Sequence, residues 1–334
     1  MQSREIHLVS RPQGMPTPDN FRMVSVDVPA PKSGEVTVRN LYMSLDPAMR
    51  GRMYEGRSYV APYNLGEVME GRAIGVVTAS QHPGFKVGDH VNSNMGWREA
   101  FTAAGDTLEK IILDGVTAPA YMNLFGTSGR TAYIGMMLIA DLRPGDVVFV
   151  SSAAGSVGSI AAQIAKLKGH KVIGSAGGAK KTQALLDDLK LDGAIDYKAV
   201  PNLTKALAAL APEGIDVYFD NVGGDHLQAA INVANNFARM PICGMISQYN
   251  DVAGQSGPKN LTLIMGKCIR IEGFLLHRYE DRIPNFDRDM RQWYHEGKMK
   301  SFETVYEGID NAVAAFEGLM RGENLGKMVV KLSD

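Results

Sequence analysis

Seven residues carry the first chemical signal. Ser152-Ala153-Ala154-Gly155-Ser156-Val157-Gly158 follows the apolar run Val147-Val148-Phe149-Val150 and precedes Ile160, Ala161, Ile164, Ala165 and Leu167, which are apolar at helical spacing. A glycine-rich turn from strand to helix can cradle a phosphate, because the first N–H groups of a helix lack intrahelical partners and face an anion. The spacing is a variant of G-x-G-x-x-G with Ala153 in the first glycine position. Gly155 lets the backbone approach a pyrophosphate, with Ser156 and Val157 beside it, and Gly158 lets helix and strand pack closely. The alternative is a merely tight turn. The strand before, the helix after and the further strand–helix units behind favour a dinucleotide site.

The next strand-like run decides which dinucleotide. A site for the unphosphorylated cofactor places Asp or Glu about twenty residues on, to hold the ribose hydroxyls. Here the chain reads Gly174-Ser175-Ala176-Gly177-Gly178-Ala179-Lys180-Lys181, with no carboxylate and two lysines. A 2′-phosphate is repelled by an acid and attracted by cations and small donors such as Ser175. NADPH is therefore expected over NADH, although Lys180 and Lys181 also suit the exposed start of a helix.

Other chemistries are excluded by counting. Two cysteines, Cys243 and Cys268, cannot build a Cys₄ zinc site. A disulfide between them is out of keeping with a reducing compartment, and burial as small apolar residues explains each. Neither lies in the first 125 residues, where His7, His82 and His90 are scattered, so no metal is expected. A formal net charge of −1 calls for neither nucleic acid nor a membrane surface as partner. Met1–Ser10 has no apolar core of a signal peptide, and runs such as Ala132–Ala140 are too short to span a bilayer. A cytoplasmic protein is expected.

The elements that position these residues fall into two textures. The first 125 residues or so hold short β-like runs (Glu35–Asn40, Gly75–Ala79, Val87–Asn92) between turn formers, the pattern of a compact β-rich domain. From Gly126 strands alternate with helices: Val147–Val150, the helix Val157–Lys168, Lys171–Ser175, the helix Thr182–Leu191, then Ile215–Phe219, Arg239–Cys243 and Ile269–Phe274. This alternation predicts an α/β fold with a doubly wound parallel sheet. The tail predicts an amphipathic helix through Ala312, Ala315, Phe316 and Leu319 and a last strand, Lys327–Leu332.

The cofactor segment, with Gln163–Gly169 after it, resembles that of the medium-chain dehydrogenases/reductases. Tyr42–Met53, Tyr218–Gly224, Cys243–Asn250 and Glu323–Lys327 are similar to the zinc-independent prostaglandin reductase/leukotriene hydroxydehydrogenase branch, which includes bacterial curcumin reductases and plant alkenal double-bond reductases. The resemblance runs over nearly the whole chain. It implies a β-rich chaperonin-10-like catalytic domain at 1–126 completed by 303–334, a Rossmann domain at 127–302, an active site between them and a homodimer. It implies that Gly155 and Gly158 cradle the pyrophosphate and that Lys181 and Tyr197 contact the 2′-phosphate. It further implies cofactor contacts from Asn221, from Cys243 to Tyr249 (Cys243, Gly244, Ile246, Ser247 and Tyr249 among them), from Phe274, Leu275 and Leu276, from Asn324, and from Thr131 near the nicotinamide.

The same resemblance implies the reaction: NADPH-dependent reduction of the carbon–carbon double bond of an α,β-unsaturated ketone or aldehyde, without metal. Hydride addition to the β-carbon develops negative charge on the carbonyl oxygen, so a hydrogen-bond donor is needed there, and the α-carbon needs a proton. Tyr59 is the first candidate donor and Tyr249 the second, each with packing as its alternative. Tyr42 belongs to the motif but suits the core. Some relatives carry tyrosine where this chain has Ala48, and others near Gly266-Lys267-Cys268; both hydroxyls are absent here. An NADPH quinone reductase and a non-catalytic NADPH-binding sensor are the competing functions. The loops Arg52–Glu67 and Asp251–Leu263 are expected to shape the substrate pocket.

Overall fold

The computed structural model describes residues 1–56, 58–251 and 257–334; Arg57 and residues 252–256, within the two expected pocket loops, lie outside it. The chain forms two compact units, Met1–Met122 with Glu303–Asp334, and Asn123–Phe302.

The second unit is the strand–helix alternation made solid. Its sheet strands are β1 (Val147–Val150), β2 (Lys171–Ala176), β3 (Gly193–Asp196), β4 (Ile215–Phe219), β5 (Ala234–Ile242) and β6 (Arg270–Gly273). Their order is β3-β2-β1-β4-β5-β6, and every pairing is parallel. This is the doubly wound order, which reverses direction between β1 and β4 and so opens a ligand site at the strands' C-terminal ends. The intervening helices are α1 (Ser156–Leu167), α2 (Ala179–Asp187), α3 (Leu203–Leu210) and α4 (Gly224–Val233). On one face Phe149 stacks on Tyr218 at 5.2 Å within a buried cluster that includes Ile173, Ile195, Leu207, Ile215 and Ile231. Each such side chain contributes roughly 1.5–3 kcal/mol by leaving water.

The first unit is antiparallel except at one pair. Gln2–Leu8 pairs with Phe21–Asp27 and with Glu67–Val68 in a three-stranded sheet. The long strand Glu35–Leu45 anchors the seven-stranded sheet. Lys327–Lys331 lies antiparallel beside it and carries Glu303–Glu307 on its other side, so the last 32 residues complete this unit's sheet. Its core includes Val36, Val38, Val77, Val91 and Phe101.

Several expected boundaries move. The helix expected over Thr182–Leu191 is α2, Ala179–Asp187. Gly178, at φ +101°, lets the chain turn early, and Lys190, at φ +54°, ends it. Lys181 therefore sits in the first helical turn. The run Val87–Asn92 is a strand only from His90 to Ser93, because Gly88 at φ +93° forms a turn whose N–H binds Val77 O. Strand β3 and helices α3 and α4 were not among the expected elements, although Leu203, Leu207 and Leu210 of α3 stand at helical spacing.

Candidate active site

The cradle begins at Ser152, held at φ +49°. Gly155 N–H donates to Ser152 O at 2.9 Å, closing the turn, and Gly155 is the N-cap of α1. A Cβ at Gly158 would lie 2.2 Å from Ser152 O and 2.9 Å from its carbonyl carbon, so no side chain fits. A Cβ on Gly174 of β2 would lie 2.7 Å from the Ala153 Cβ. The small side chain at position 153 is thus accommodated by the glycine opposite it. Among the described residues, the N–H groups of Ser156, Val157 and Gly158 have no hydrogen-bond partner. Unpaired donors at a helix N-terminus suit an anion.

The Ser156 hydroxyl is committed elsewhere. It donates to Asn123 Oδ1 at 2.7 Å, while Asn123 Nδ2 donates to Ser301 Oγ at 3.0 Å. Ser128 Oγ also lies 2.7 Å from Ser156 Oγ. With its one proton used, the Ser156 side chain must accept from Ser128. Asn123 and Ser128 are buried, and nothing in the sequence singled them out. Only the main-chain N–H of Ser156 is left unpaired among the described residues.

At the end of β2, Ser175 Oγ is buried and has no hydrogen-bond partner among the described residues. The ladder to β3 continues past the last paired residues, with Tyr197 N–H donating to Ala176 O at 3.2 Å. This brings Tyr197 beside Gly177, whose Cβ would lie 2.9 Å from Tyr197 Oη. Asp196, the nearby acid, accepts from Gly178 N–H at 2.9 Å and Lys198 N–H at 3.1 Å, so its charge is turned to the backbone. Ser175 lies at the end of β2, Tyr197 follows the neighbouring strand β3, and Lys181 lies in the first turn of α2, the helix after β2.

The middle of the sheet edge is tied together by Asp220, which the sequence reading quoted but did not assign. Its Oδ1 accepts from Tyr218 Oη at 2.7 Å and from Val222 and Gly223 N–H at 2.8 Å each, and lies 3.3 Å from Ser151 Oγ. Burial pushes the Asp220 carboxyl above the usual carboxylate range against these hydrogen bonds. Asn221 Nδ2 donates to Ser151 O at 2.7 Å. The next loop is stitched to this one: Ile246 N–H donates to Asn221 O, Ser247 N–H to Val222 O, and Ser247 Oγ to Val222 O at 2.6 Å. Gly244 meets the tip of Tyr249, its Cβ position 3.0 Å from Tyr249 Oη. Cys243 is pushed up to about 12 by burial and by Asp220, so it stays a thiol at neutral pH. Farther along the sheet edge, Phe274 meets Phe219 edge-on at 6.4 Å, and a Cβ on Gly135 would lie 2.4 Å from Phe219 Cε2 and 2.9 Å from Phe274 Cζ. Thr131 is on the helix Thr127–Ile134 just before that glycine, and this helix packs on the turn Leu276–Arg278 that Leu275 precedes.

Residues 4–111 match the family model described as the N-terminal domain of oxidoreductase, and residues 156–291 match the zinc-binding dehydrogenase model. The chain is 39% identical over 338 residues to the NADPH-dependent curcumin reductase of Escherichia coli, covering 99% of this chain and 97% of that one. It is 39% identical over 322 residues to prostaglandin reductase 1 of Bos taurus, covering 95% of each. The chain belongs to the prostaglandin reductase and curcumin reductase branch of the medium-chain dehydrogenases/reductases. It is an oxidoreductase. The crystal structure of CurA from Vibrio vulnificus in complex with NADPH superposes with a TM-score of 0.93 at 40% identity over 99% of each chain. Among the described residues of this family member, no group of three or more His, Cys, Asp or Glu could hold a metal ion. No helix there is long and apolar enough to cross a membrane.

The first unit carries the remaining candidates. Tyr59 is 62% exposed, on a segment without regular structure. Asn324 is buried, and its Nδ2 donates to Gly326 O at 2.6 Å. Three residues on, the buried Lys327 ammonium pairs with Asp46. Burial raises the Asp46 carboxyl, but the charge and hydrogen bond of Lys327 outweigh it and hold Asp46 below its usual range. This pair ties the Asn324–Lys327 turn to the Leu45-Asp46-Pro47 corner. The Tyr42 side chain packs beside Ile74 and Val329, a core role.

Proposed function

We propose that the protein reduces the carbon–carbon double bond of α,β-unsaturated ketones and aldehydes with NADPH. The observation that carries the cofactor choice is the end of β2: a buried Ser175 hydroxyl without a partner among the described residues, no carboxylate in the sequence from Gly174 to Lys181, and Lys181 in the first turn of α2. The N–H groups of Ser156, Val157 and Gly158 hold the pyrophosphate, with Gly155 keeping its approach open. Ser175, Lys181 and Tyr197 hold the 2′-phosphate. Asn221, Cys243, Gly244, Ile246, Ser247, Thr131, Phe274, Leu275, Leu276 and Asn324 line the rest of the cofactor. Bound NADPH supplies the hydride that adds to the substrate β-carbon.

The substrate class is supported by the kinship with enzymes named for curcumin and prostaglandin reduction. Tyr59 donates a hydrogen bond to the carbonyl oxygen as negative charge develops on it, and the α-carbon takes a proton from the same hydroxyl or from water. Tyr249 is the second candidate for this work. The protein works in the cytoplasm as a homodimer.

A panel of enones, enals and quinones, each with NADPH and with NADH, tests the reading by product analysis. A saturated ketone with NADPH is expected. A hydroquinone as the sole product assigns a quinone reductase, and tight NADPH binding without turnover of any substrate assigns a sensor. Tyr59→Phe is expected to lower enone turnover about a hundredfold, the low end of the usual worth of a positioned proton donor. Undiminished turnover removes Tyr59 from the donor role.

A further inference from the structure

Tyr197 is 40% exposed and stands just beyond the end of β3. A half-exposed tyrosine on a loop ordinarily exchanges rotamers freely. This one is braced on two sides. Gly177 leaves no room for a side chain beneath the ring: a Cβ there would lie 2.9 Å from Tyr197 Oη and 3.1 Å from Cζ. The hydroxyl end of Tyr197 thus lies against the Gly177 main chain, with Lys198 Cε equally close, 2.9 Å from the same point. On another side the imidazole of His226 meets the ring edge-to-face, with centroids 5.1 Å apart and planes at 75°.

His226 is itself immobile. It is 5% exposed, in the first turn of α4, and its N–H donates to Gly223 O at 3.1 Å. Gly223 and Gly224, both at positive φ, set the start of that helix, and Gly223 donates to Asp220. The His226 position is therefore locked to the same Asp220 corner that orders the middle of the sheet edge. Its Nε2 is buried without a hydrogen-bond partner among the described residues. Burial pushes its titration down to about 4, so the ring is neutral at physiological pH and acts on Tyr197 through shape and ring electrostatics, not as a cation. Tyr197 Oη makes no hydrogen bond to a described residue, so its hydroxyl is held in place yet uncommitted.

We propose that His226 is a positioning residue for cofactor specificity: it holds the Tyr197 hydroxyl at the end of β2, where it reads the phosphate that distinguishes NADPH from NADH. The inference rests on the reading of Tyr197 given above. It adds a residue far along the chain, on a different strand–helix unit, that touches no cofactor itself.

Fluorescence titration of the full-length protein with NADPH and with NADH tests it. An edge-to-face aromatic contact is worth about 0.5–1.5 kcal/mol, so His226→Ala is expected to weaken NADPH about three- to tenfold. NADH binding should stay within about twofold, since NADH lacks the phosphate that the Tyr197 hydroxyl reads. His226→Phe keeps the aromatic edge and should restore NADPH affinity to within about twofold of the parent protein. Equal weakening of both cofactors by His226→Ala overturns the proposal in favour of a purely structural role. So does a His226→Phe variant as weak for NADPH as His226→Ala. Tyr197→Ala separates the two layers. If it leaves NADPH affinity unchanged, the reading of Tyr197 fails and the proposal with it. If it weakens NADPH while His226→Ala does not, the proposal for His226 alone fails.

Discussion

The two units hold their functional residues by different means. In the parallel unit the positions are set by backbone. Ser152, Gly155, Gly158, Gly174 and Gly177 either bend the chain or leave room that a single carbon atom would fill. Each loop at the sheet edge is tied to its neighbour through main-chain bonds or through Asp220. In the antiparallel unit Tyr59 rides an irregular, exposed segment, while Asn324 and Lys327 are set by a buried ion pair. The difference teaches where variation is tolerated. A cofactor common to many enzymes is met by rigid backbone, and loops that carry substrate-facing side chains are free to differ.

The largest effect expected from breaking that contrast is at Gly158. Gly158→Val pushes a branched side chain into the Ser152 carbonyl, 2.2 Å from where Cβ must sit. NADPH titration should show at least a hundredfold loss, and the unfolding free energy from urea titration should fall by more than about 2 kcal/mol. Retained binding would show that the turn is not the cradle. Second comes the antiparallel unit's own fixed point. Lys327→Met leaves the part-buried Asp46 without its cation, which should cost about 2 kcal/mol in urea unfolding. Lys327→Arg, which keeps the charge, should recover part of that.

Third is Lys181→Ala. A charge-assisted hydrogen bond to phosphate is worth about 1.5–3 kcal/mol, so KM for NADPH should rise about ten- to a hundredfold with KM for NADH unchanged. An unchanged ratio removes Lys181 from the 2′-phosphate. The smallest effect is a pH dependence. His226 titrates at about 4 in the folded protein against 6.5 unperturbed, so the unfolded chain binds its proton first as pH falls. Stability from this group is fully present above pH 6.5 and declines as pH falls toward 4. Between pH 6.5 and 5.5 the decline should approach about 1 kcal/mol, and His226→Phe should flatten that part of the profile. A variant with the parent's slope would show that another group titrates.

The parallel sheet and its cradle were legible because they rest on local rules. A strand, a glycine turn and an amphipathic helix in succession have one favourable way to pack, and Val147–Leu167 contains all three. The missing acid after β2 could likewise be read directly, since charge is a property of residue type. The start of α2 could not, because Gly178 bends the chain three residues earlier than the apolar spacing implied. Tyr59, Thr131, Phe274 and Asn324 were reached only through family resemblance, since a lone residue on a loop or helix has no local pattern to mark it.

The amino-acid sequence by itself determined the class of fold, the cradle at Gly155 and Gly158, and the shortage of thiol ligands, because each follows from neighbouring residues or from composition. Tertiary structure alone decided that the Ser156 hydroxyl is spent on Asn123, that Asp220 organises the sheet edge, and that His226 braces Tyr197. Those partners lie 33 residues apart for Ser156 and Asn123, and on separate strand–helix units for Tyr197 and His226. Only the folding of the chain around an open, doubly wound sheet brings such groups within reach, and the chemistry of a hydroxyl or a ring depends on which neighbour reaches it first.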